Sequence, residues 1–579
     1  MKHLLRNAID AALARLRDAG LLADAPVVDY QVEVPKLEAH GDFSTNVAML
    51  LAKPCRRPPR ELAGELAALM SEDALFAKVE VAGPGFINFV VDPVTVFGVI
   101  DEVLARGADY GRNTLGAGRR VQVEYVSANP TGPLHIGHGR GAAIGSVIAR
   151  LLDVSGFEVT REYYVNDAGR QMDILALSVC LRYQELCGNA VAFPTQAYRG
   201  DYVVDIARAW QVRNGDDWAA DLGAPPSAAD EDAERALDAA IAHTRTTLGE
   251  ARFATLRDFA KDTILEEIEA DLVDFGVEFD VWYSEAGLMA GGLVDDAMAV
   301  LERNGHIYVE GGARWFRSEA LGDEKNRVVV RENGLKTYFA SDIAYHLDKF
   351  RRGFAEVIDV WGADHHGYVP RVRAAISALG EDPGRLSVVL VQFAALVRGG
   401  EKVAMSTRAG EFVTLKQLVD EVGVDAARFF YVMRRADQHL EFDLDLATAE
   451  SSDNPVYYVQ YAHARICSVE RHLAERGLHA PSTSVELAGV LDVPAERRLA
   501  KLLWQYPEMI EAAARAREPH LVPQYLRDLA TEFHGYYNGH KILVEDAPLR
   551  DARVRLCDAV RRVLANGLEV IGVRAPSEM

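Results

Sequence analysis

Two histidines three residues apart, His135 and His138, stand where a strand-like run gives way to a helical one. The stretch 121–152 reads VQVEYVSANPTGPLHIGHGRGAAIGSVIARLL. Its first residues are β-branched or alternating, which suits a strand. Ser127-Ala128-Asn129-Pro130-Thr131-Gly132-Pro133 is a cluster of turn formers, and Ala142, Ile144, Val147, Ile148 and Leu151 then recur at helical spacing. A helix start exposes unpaired N–H groups and partial positive charge, and phosphates bind there. Imidazoles at that place can donate to a phosphoryl group as its charge grows. Gly137, without a Cβ, lets a flat base approach the backbone. Two solvated histidines on a helix would give the same four-residue string, so the string alone does not decide.

Other chemistry-bearing residues fall at comparable turns. The strand-like run 158–165 passes into Asn166-Asp167-Ala168-Gly169-Arg170-Gln171. Asn333-Gly334 turns into a helical stretch carrying Tyr338 and Asp342. A buried-type strand at 357–361 ends in Gly362-Ala363-Asp364-His365-His366-Gly367-Tyr368. Asp364, His365 and His366 suggest a metal at first sight, but adjacent histidines point different ways and no further ligands are spaced to complete a site. A nucleotide-contacting loop at a strand end suits them better. An apolar strand at 388–396, containing Gln392, leads into Arg398-Gly399-Gly400-Glu401-Lys402-Val403-Ala404-Met405-Ser406-Thr407-Arg408, a glycine-rich basic loop suited to closing over a triphosphate. Near the end, Asn454-Pro455-Val456-Tyr457-Tyr458-Val459-Gln460-Tyr461-Ala462-His463-Ala464-Arg465 combines aromatics with arginine, as unpaired bases require. Core packing accounts for each tyrosine singly just as well.

These segments need a frame. With 579 residues the chain is long enough for several domains. Strand alternating with helix argues for a parallel, doubly wound, Rossmann-like sheet with ligands at the carboxyl ends of its strands. The expected fold is therefore α/β: a Rossmann-like parallel-sheet catalytic domain with an N-terminal α+β domain, a helical insertion and a C-terminal all-α helical bundle. The expected boundaries are 1–105 for the N-terminal domain, 115–190 and 301–410 for the two halves of the sheet domain, 191–300 for the insertion, 411–455 for a helical connector and 456–579 for the bundle. Within these, 6–22 reads as a helix, 27–35 as a strand, and the chain beyond about Asp425 as almost wholly helical. No apolar run is long enough to span a bilayer, and the N-terminus lacks a signal-peptide pattern. Cys55, Cys180, Cys187, Cys467 and Cys557 are scattered and odd in number, which favours free thiols and a reducing cytoplasm. A net charge of −23 argues against loose, nonspecific RNA binding while leaving a local basic surface possible.

The His-Ile-Gly-His string resembles the first signature of class I aminoacyl-tRNA synthetases and related nucleotidylyltransferases. Ser127 to Gly132, Tyr-Val-Asn-Asp-Ala-Gly-Arg-Gln at 164–171, the Gly362 to Tyr368 string and the opening of the 454–465 helix resemble arginyl-tRNA synthetases in particular. The resemblance runs from about residue 30 to the end, apart from the insertion. It implies activation of L-arginine by ATP with magnesium carried by the nucleotide, no dedicated metal site, transfer to the 3′-terminal adenosine of tRNA-Arg, activation that depends on bound tRNA, no membrane partner and a monomer. It implies ATP contacts from His135, Gly137, His138, Gly362, Asp364, His365 and Met405. It implies arginine contacts from Glu124, Ser127, Asn129, Tyr338, Asp342 and Gln392, and tRNA contacts from Asn454, Tyr457, Tyr461, Arg465 and the N-terminal domain. The catalytic group would be His135, His138, Lys402, Ser406 and Arg408. The Ala404-Met405-Ser406-Thr407-Arg408 string is similar to the second class I signature, with one departure: the usual first lysine is Ala404, and the place ahead of the histidines where some members carry a lysine instead is Gly132. Lys402 and Arg408 are then the local cations. A noncatalytic tRNA-binding paralogue or a small-substrate nucleotidylyltransferase remain as other readings of the same strings.

Overall fold

A computed structural model describes residues 1–22, 26–35, 37–220, 222, 233–403, 413–478 and 487–579. At its centre are five parallel strands in the order Leu386–Val391, Glu356–Gly362, Arg120–Glu124, Glu158–Val165, Val281–Ser284. The strand that comes first in the chain is the middle one, so the winding direction reverses beside it and leaves a crevice at the carboxyl ends. Val121, Gln122, Val123 and Glu124 are all buried, as a strand covered on both faces must be. The Ile136–Val154 helix packs on one face and the Tyr338–Arg351 helix on the other.

Several expectations shift. The first helix is Lys2–Asp18, and of the strand expected at 27–35 only Val32–Glu33 pairs, at the edge of an antiparallel four-stranded sheet with Phe43–Thr45, Phe86–Val91 and Phe76–Ala82. The insertion is helical over Asp201–Asn214, Ala233–Leu248 and Glu250–Asp274, but it ends before residue 300, because Val281–Ser284 pairs with Glu158–Val165 as an edge strand of the central sheet. Within the 301–410 half, Ile307–Glu310, Ala313–Phe316 and Arg327–Val330 form a separate antiparallel sheet with its own core around Val294, Leu301, Phe316 and Phe339. The run 388–396 is two strands, not one. Leu386–Val391 ends at Gln392, and Ala394–Arg398 joins a fourth sheet with Glu401–Lys402 and Leu440–Asp443, the latter a strand in a region expected to be helical.

The C-terminal bundle consists of Pro455–Glu475, Pro494–Ala516, Leu521–Gly539 and Ala547–Ile571. It grips the N-terminal domain through Trp504, whose ring N–H donates to the Val96 carbonyl, and through Arg497 and Lys501, which both bond Asp42. It grips the sheet domain through Arg428. That buried guanidinium donates to the carbonyls of Ile571 and Phe275 and to the Ser146 hydroxyl, tying together the ends of Ala547–Ile571 and Glu250–Asp274 and the middle of Ile136–Val154. Gly572, at φ +70°, leaves room for it; a Cβ there would lie 2.5 Å from Arg428 Nε. All five cysteines are free, and no helix among the described residues is long and apolar enough to cross a membrane.

Candidate active site

A cavity of about 650 Å³ opens at the carboxyl ends of the central strands. On one side stand the histidines. His135 is the N-cap of Ile136–Val154, and its Nδ1 accepts from the Gly137 N–H at 3.0 Å; His138 Nδ1 accepts from the His135 N–H at 3.3 Å. With Nδ1 an acceptor in both rings, the proton of each neutral ring sits on Nε2. The rings stack, centroids 3.7 Å apart. Burial lowers both pKa values, that of His138 to about 3, so this wall presents neutral imidazoles. The missing Cβ of Gly137 makes way for the His135 ring, which would lie 2.9 Å from it, as well as leaving the helix start open.

The opposite wall is carboxylate. Glu124 ends the middle strand, and Ser127 Oγ donates to it at 2.9 Å. Between them the chain turns with Val126 at φ +68° and Ser127 at φ +43°, a strained pair that the Tyr164 N–H bond to Ser127 Oγ holds in place. Asp342, on the second turn of Tyr338–Arg351, accepts from the Tyr368 hydroxyl. Burial raises the pKa of both carboxyls. Asn129, Gln392, Gly362, Asp364 and His365 also border the cavity. Asn129 accepts from Asn166 and donates to Gln171. The Gln392 carbonyl is fixed by Arg140, which reaches it at 2.7 Å.

The structure brings together most of the expected residues and separates a few. Tyr338 is 57% exposed and lies against Gly169 outside the cavity wall. Lys402 is exposed, 3.5 Å from Glu441. Met405, Ser406 and Arg408 lie outside the described residues; the chain resumes at Val413, whose carbonyl accepts from the Ile136 N–H beside the histidines. No lysine or arginine lines the cavity among the described residues. Among them, too, no group of three or more histidine, cysteine or acidic side chains could hold a metal. In the bundle, Tyr457 stacks on Tyr461, Tyr461 on His534, and the Arg465 guanidinium lies 4.7 Å from the ring centres of both Tyr461 and Tyr537. Asn454 does not join them. It is buried as the N-cap of Pro455–Glu475, donating to the carbonyls of Ala447 and Ala449, and its amide is spent on the fold.

Sequence reasoning missed Glu285. It begins the short Glu285–Ala290 helix at the end of the Val281–Ser284 strand, and Asp167 fixes that corner by accepting from Ser284 Oγ and the Ala286 N–H. Glu285 Oε2, the Tyr164 hydroxyl and the Ser341 hydroxyl are buried without a hydrogen bond among the described residues. Burial, and then the neighbouring Asp342, push the Glu285 carboxyl up to about 7. Lys349, Asp359 and His346 behind Glu124 were missed as well; the signal was a lone carboxylate inside the apolar run Val357-Ile358-Asp359-Val360-Trp361, which demands a buried cation.

Three family models cover the chain: the arginyl-tRNA synthetase N-terminal domain at residues 3–91, the class I (R) tRNA synthetase catalytic domain at 99–199 and 244–445, and the DALR anticodon binding domain at 459–579. The chain belongs to the arginyl-tRNA synthetase family. It is 55% identical to an arginine–tRNA ligase of Thioalkalivibrio sulfidiphilus and 54% identical to one of Halorhodospira halophila, each alignment covering 100% of both chains. The arginyl-tRNA synthetase of Thermus thermophilus shares its fold, with a TM-score of 0.74 at 23% identity over 100% of both chains. The segment 200–243, which the catalytic-domain model of the arginyl-tRNA synthetase family leaves unmatched, falls within the insertion.

Proposed function

We propose that this chain is an arginine–tRNA ligase that joins L-arginine to AMP from ATP, releasing pyrophosphate, and then transfers the arginyl group to the 3′-terminal adenosine of tRNA-Arg. One observation carries the reading: the cavity sets neutral donors at a helix N-terminus against a carboxylate wall of Glu124 and Asp342 backed by Glu285, with no competing cation lining it among the described residues. An anionic nucleotide suits the first wall and a doubly cationic amino acid the second.

The arginine carboxylate attacks the α-phosphorus in line and pyrophosphate departs. Nε2–H donors from His135 and His138 steady the charge that builds on the phosphoryl oxygens, while the carboxylate wall, Asn129 and Gln392 hold the substrate in line. The terminal hydroxyl of the tRNA then attacks the adenylate carbonyl and AMP leaves. Magnesium enters with the nucleotide, held mainly by its phosphates. Arg408, assisted by Lys402, supplies the cation that Ala404 lacks. The Tyr457, Tyr461 and Arg465 stack takes bases of the tRNA, and the N-terminal domain meets a second part of it; the protein works as a monomer in the cytoplasm.

Pyrophosphate exchange across the twenty amino acids, with tRNA-Arg present, tests this. Arginine alone should support exchange, and omitting the tRNA should abolish it. Exchange with a different amino acid, or none with arginine, refutes the assignment. Activity that survives truncation after about Glu450 would point to a small-substrate nucleotidylyltransferase instead.

A further inference from the structure

Behind the carboxylate wall is a second layer of charge. Lys349, fully buried on Tyr338–Arg351, donates to Glu124 Oε2 at 2.5 Å and to Asp359 Oδ1 at 2.8 Å, with its ammonium 4.3 Å from the centre of the Tyr345 ring. The second oxygen of Asp359 meets His346 Nε2 at 3.0 Å, and His346 Nδ1 meets the Asp342 carbonyl at 2.8 Å. One chain of bonds thus runs from Glu124 through Lys349, Asp359 and His346 to the backbone of Asp342, and both of its ends are cavity wall.

The groups facing Glu124 come from every neighbouring element. Lys349, Tyr345 and His346 come from the helix, Asp359 from the adjoining strand and Ser127 from the turn. Tyr164 and Glu162 come from the strand on the other side, where Glu162 is engaged by Arg352 and the Tyr345 hydroxyl. A buried carboxyl left to itself takes up a proton, and a buried lysine left to itself gives one up. One ammonium shared by two carboxylates, the second of which also meets His346, avoids both. Asp359 is fully buried and does not border the cavity, so the charge offered to a ligand is that of Glu124.

We propose that Lys349 is a positioning residue for arginine, aiming the Glu124 carboxylate and keeping it ionised so that the substrate cation meets an anion. This rests on the arginine-site reading of the cleft. Burial drives the Glu124 carboxyl upward and Lys349 opposes that drift, so removing the ammonium shifts Glu124 toward its protonated form.

The test uses the full-length enzyme with tRNA-Arg, by pyrophosphate exchange between about pH 6.5 and about pH 8.5. K349M/D359N removes one charge of each sign together. Its arginine KM at neutral pH should rise about tenfold to a hundredfold, the range for losing one charge-assisted hydrogen bond. Its ATP KM should stay put, and arginine affinity should recover toward alkaline pH as Glu124 ionises again. D359N alone, which turns the whole Lys349 charge onto Glu124, should raise the arginine KM without that recovery, and it serves if the double variant does not fold. A merely structural role would lower stability or kcat without moving the pH profile. A native arginine KM in either folded variant, or a rise in K349M/D359N that is equal at every pH, overturns the proposal. Glu124→Gln separates the two readings. A native arginine KM in that variant removes Glu124 from the arginine site and the Lys349 role with it, whereas a raised one beside a native value in K349M/D359N removes only the Lys349 role.

Discussion

Replacing Glu285 with glutamine keeps the shape of the side chain and removes its titration. The native carboxyl, held at about 7 by burial and by Asp342, has an ordinary value of 4.5 once the chain unfolds. Between those values the unfolded state loses its proton while the folded state keeps it, so folded stability falls as pH rises and reaches its full deficit above about 7. The gap corresponds to about 3 kcal/mol, of which about 2 kcal/mol develops between about pH 5.5 and about pH 8.5. In ligand-free protein, E285Q should therefore match the native chain more nearly at the acid end and exceed its stability by about 2 kcal/mol more at the alkaline end, read by urea unfolding at both pH values. Arginine reverses the penalty. A guanidinium beside Asp342 and Glu285 favours the ionised carboxyl, so native arginine affinity should rise with pH through about 7, with proton release on binding seen by calorimetry in two buffers. E285Q should bind arginine more weakly and without that slope. An alkaline stability gain of zero, or the same pH slope in the variant, would refute the burial argument.

Asp342→Ala should raise the arginine KM on the order of a hundredfold while ATP KM stays nearly native, because it strips an anion from a buried ion-pairing wall; an unchanged arginine KM removes the assignment. Arg408→Ala should cut the single-turnover adenylation rate about a hundredfold, the cost of one donor aimed at developing charge, and Lys402→Ala should cost less; an unchanged rate in the double variant places the compensating cation elsewhere. With its imidazole pushed down to about 3, His138 should contribute no titration to the kcat profile across the neutral range, and an acid limb that disappears in His138→Asn would contradict this. Asn454→Ala should lower stability by about 1 kcal/mol through loss of the helix cap, with the tRNA KM unchanged at temperatures where the variant is folded; a tRNA KM raised without a stability change would restore Asn454 to the RNA surface.

Periodicity was enough to show the strand–turn–helix around His135, the parallel sheet and the helical bundle, because each is set mainly by local pattern. What stayed hidden depends on distant partners. Val281–Ser284 is half-buried throughout, so it lacks the alternation that marks a strand, and with it went Glu285 at its end. The break at Gln392 follows an unbroken apolar run; it is set by the Gln392 N–H bonding the Ala436 carbonyl and by Arg140 reaching in from the helix that carries the histidines. Asn454 was legible by a better rule: an asparagine immediately before a proline that opens a helix is a cap first. Lys349 had no local signature, since its partners lie on two different strands.

The Arg428 junction sets how the molecule yields under load. Its guanidinium carries charge into the interior with no carboxylate in bonding distance among the described residues, and four carbonyl and hydroxyl oxygens at three elements are what compensate it. Sliding any one of those elements strands part of a buried cation, a cost of several kcal/mol. The last helix of the anticodon domain therefore cannot shift against the histidine-bearing helix by small, cheap steps; the joint holds or it breaks. Damage at Gly572, more than a hundred residues along the chain from the cleft, should thus register as a defect in catalysis, and a screen for inactive variants will find lesions at this hub that touch no substrate.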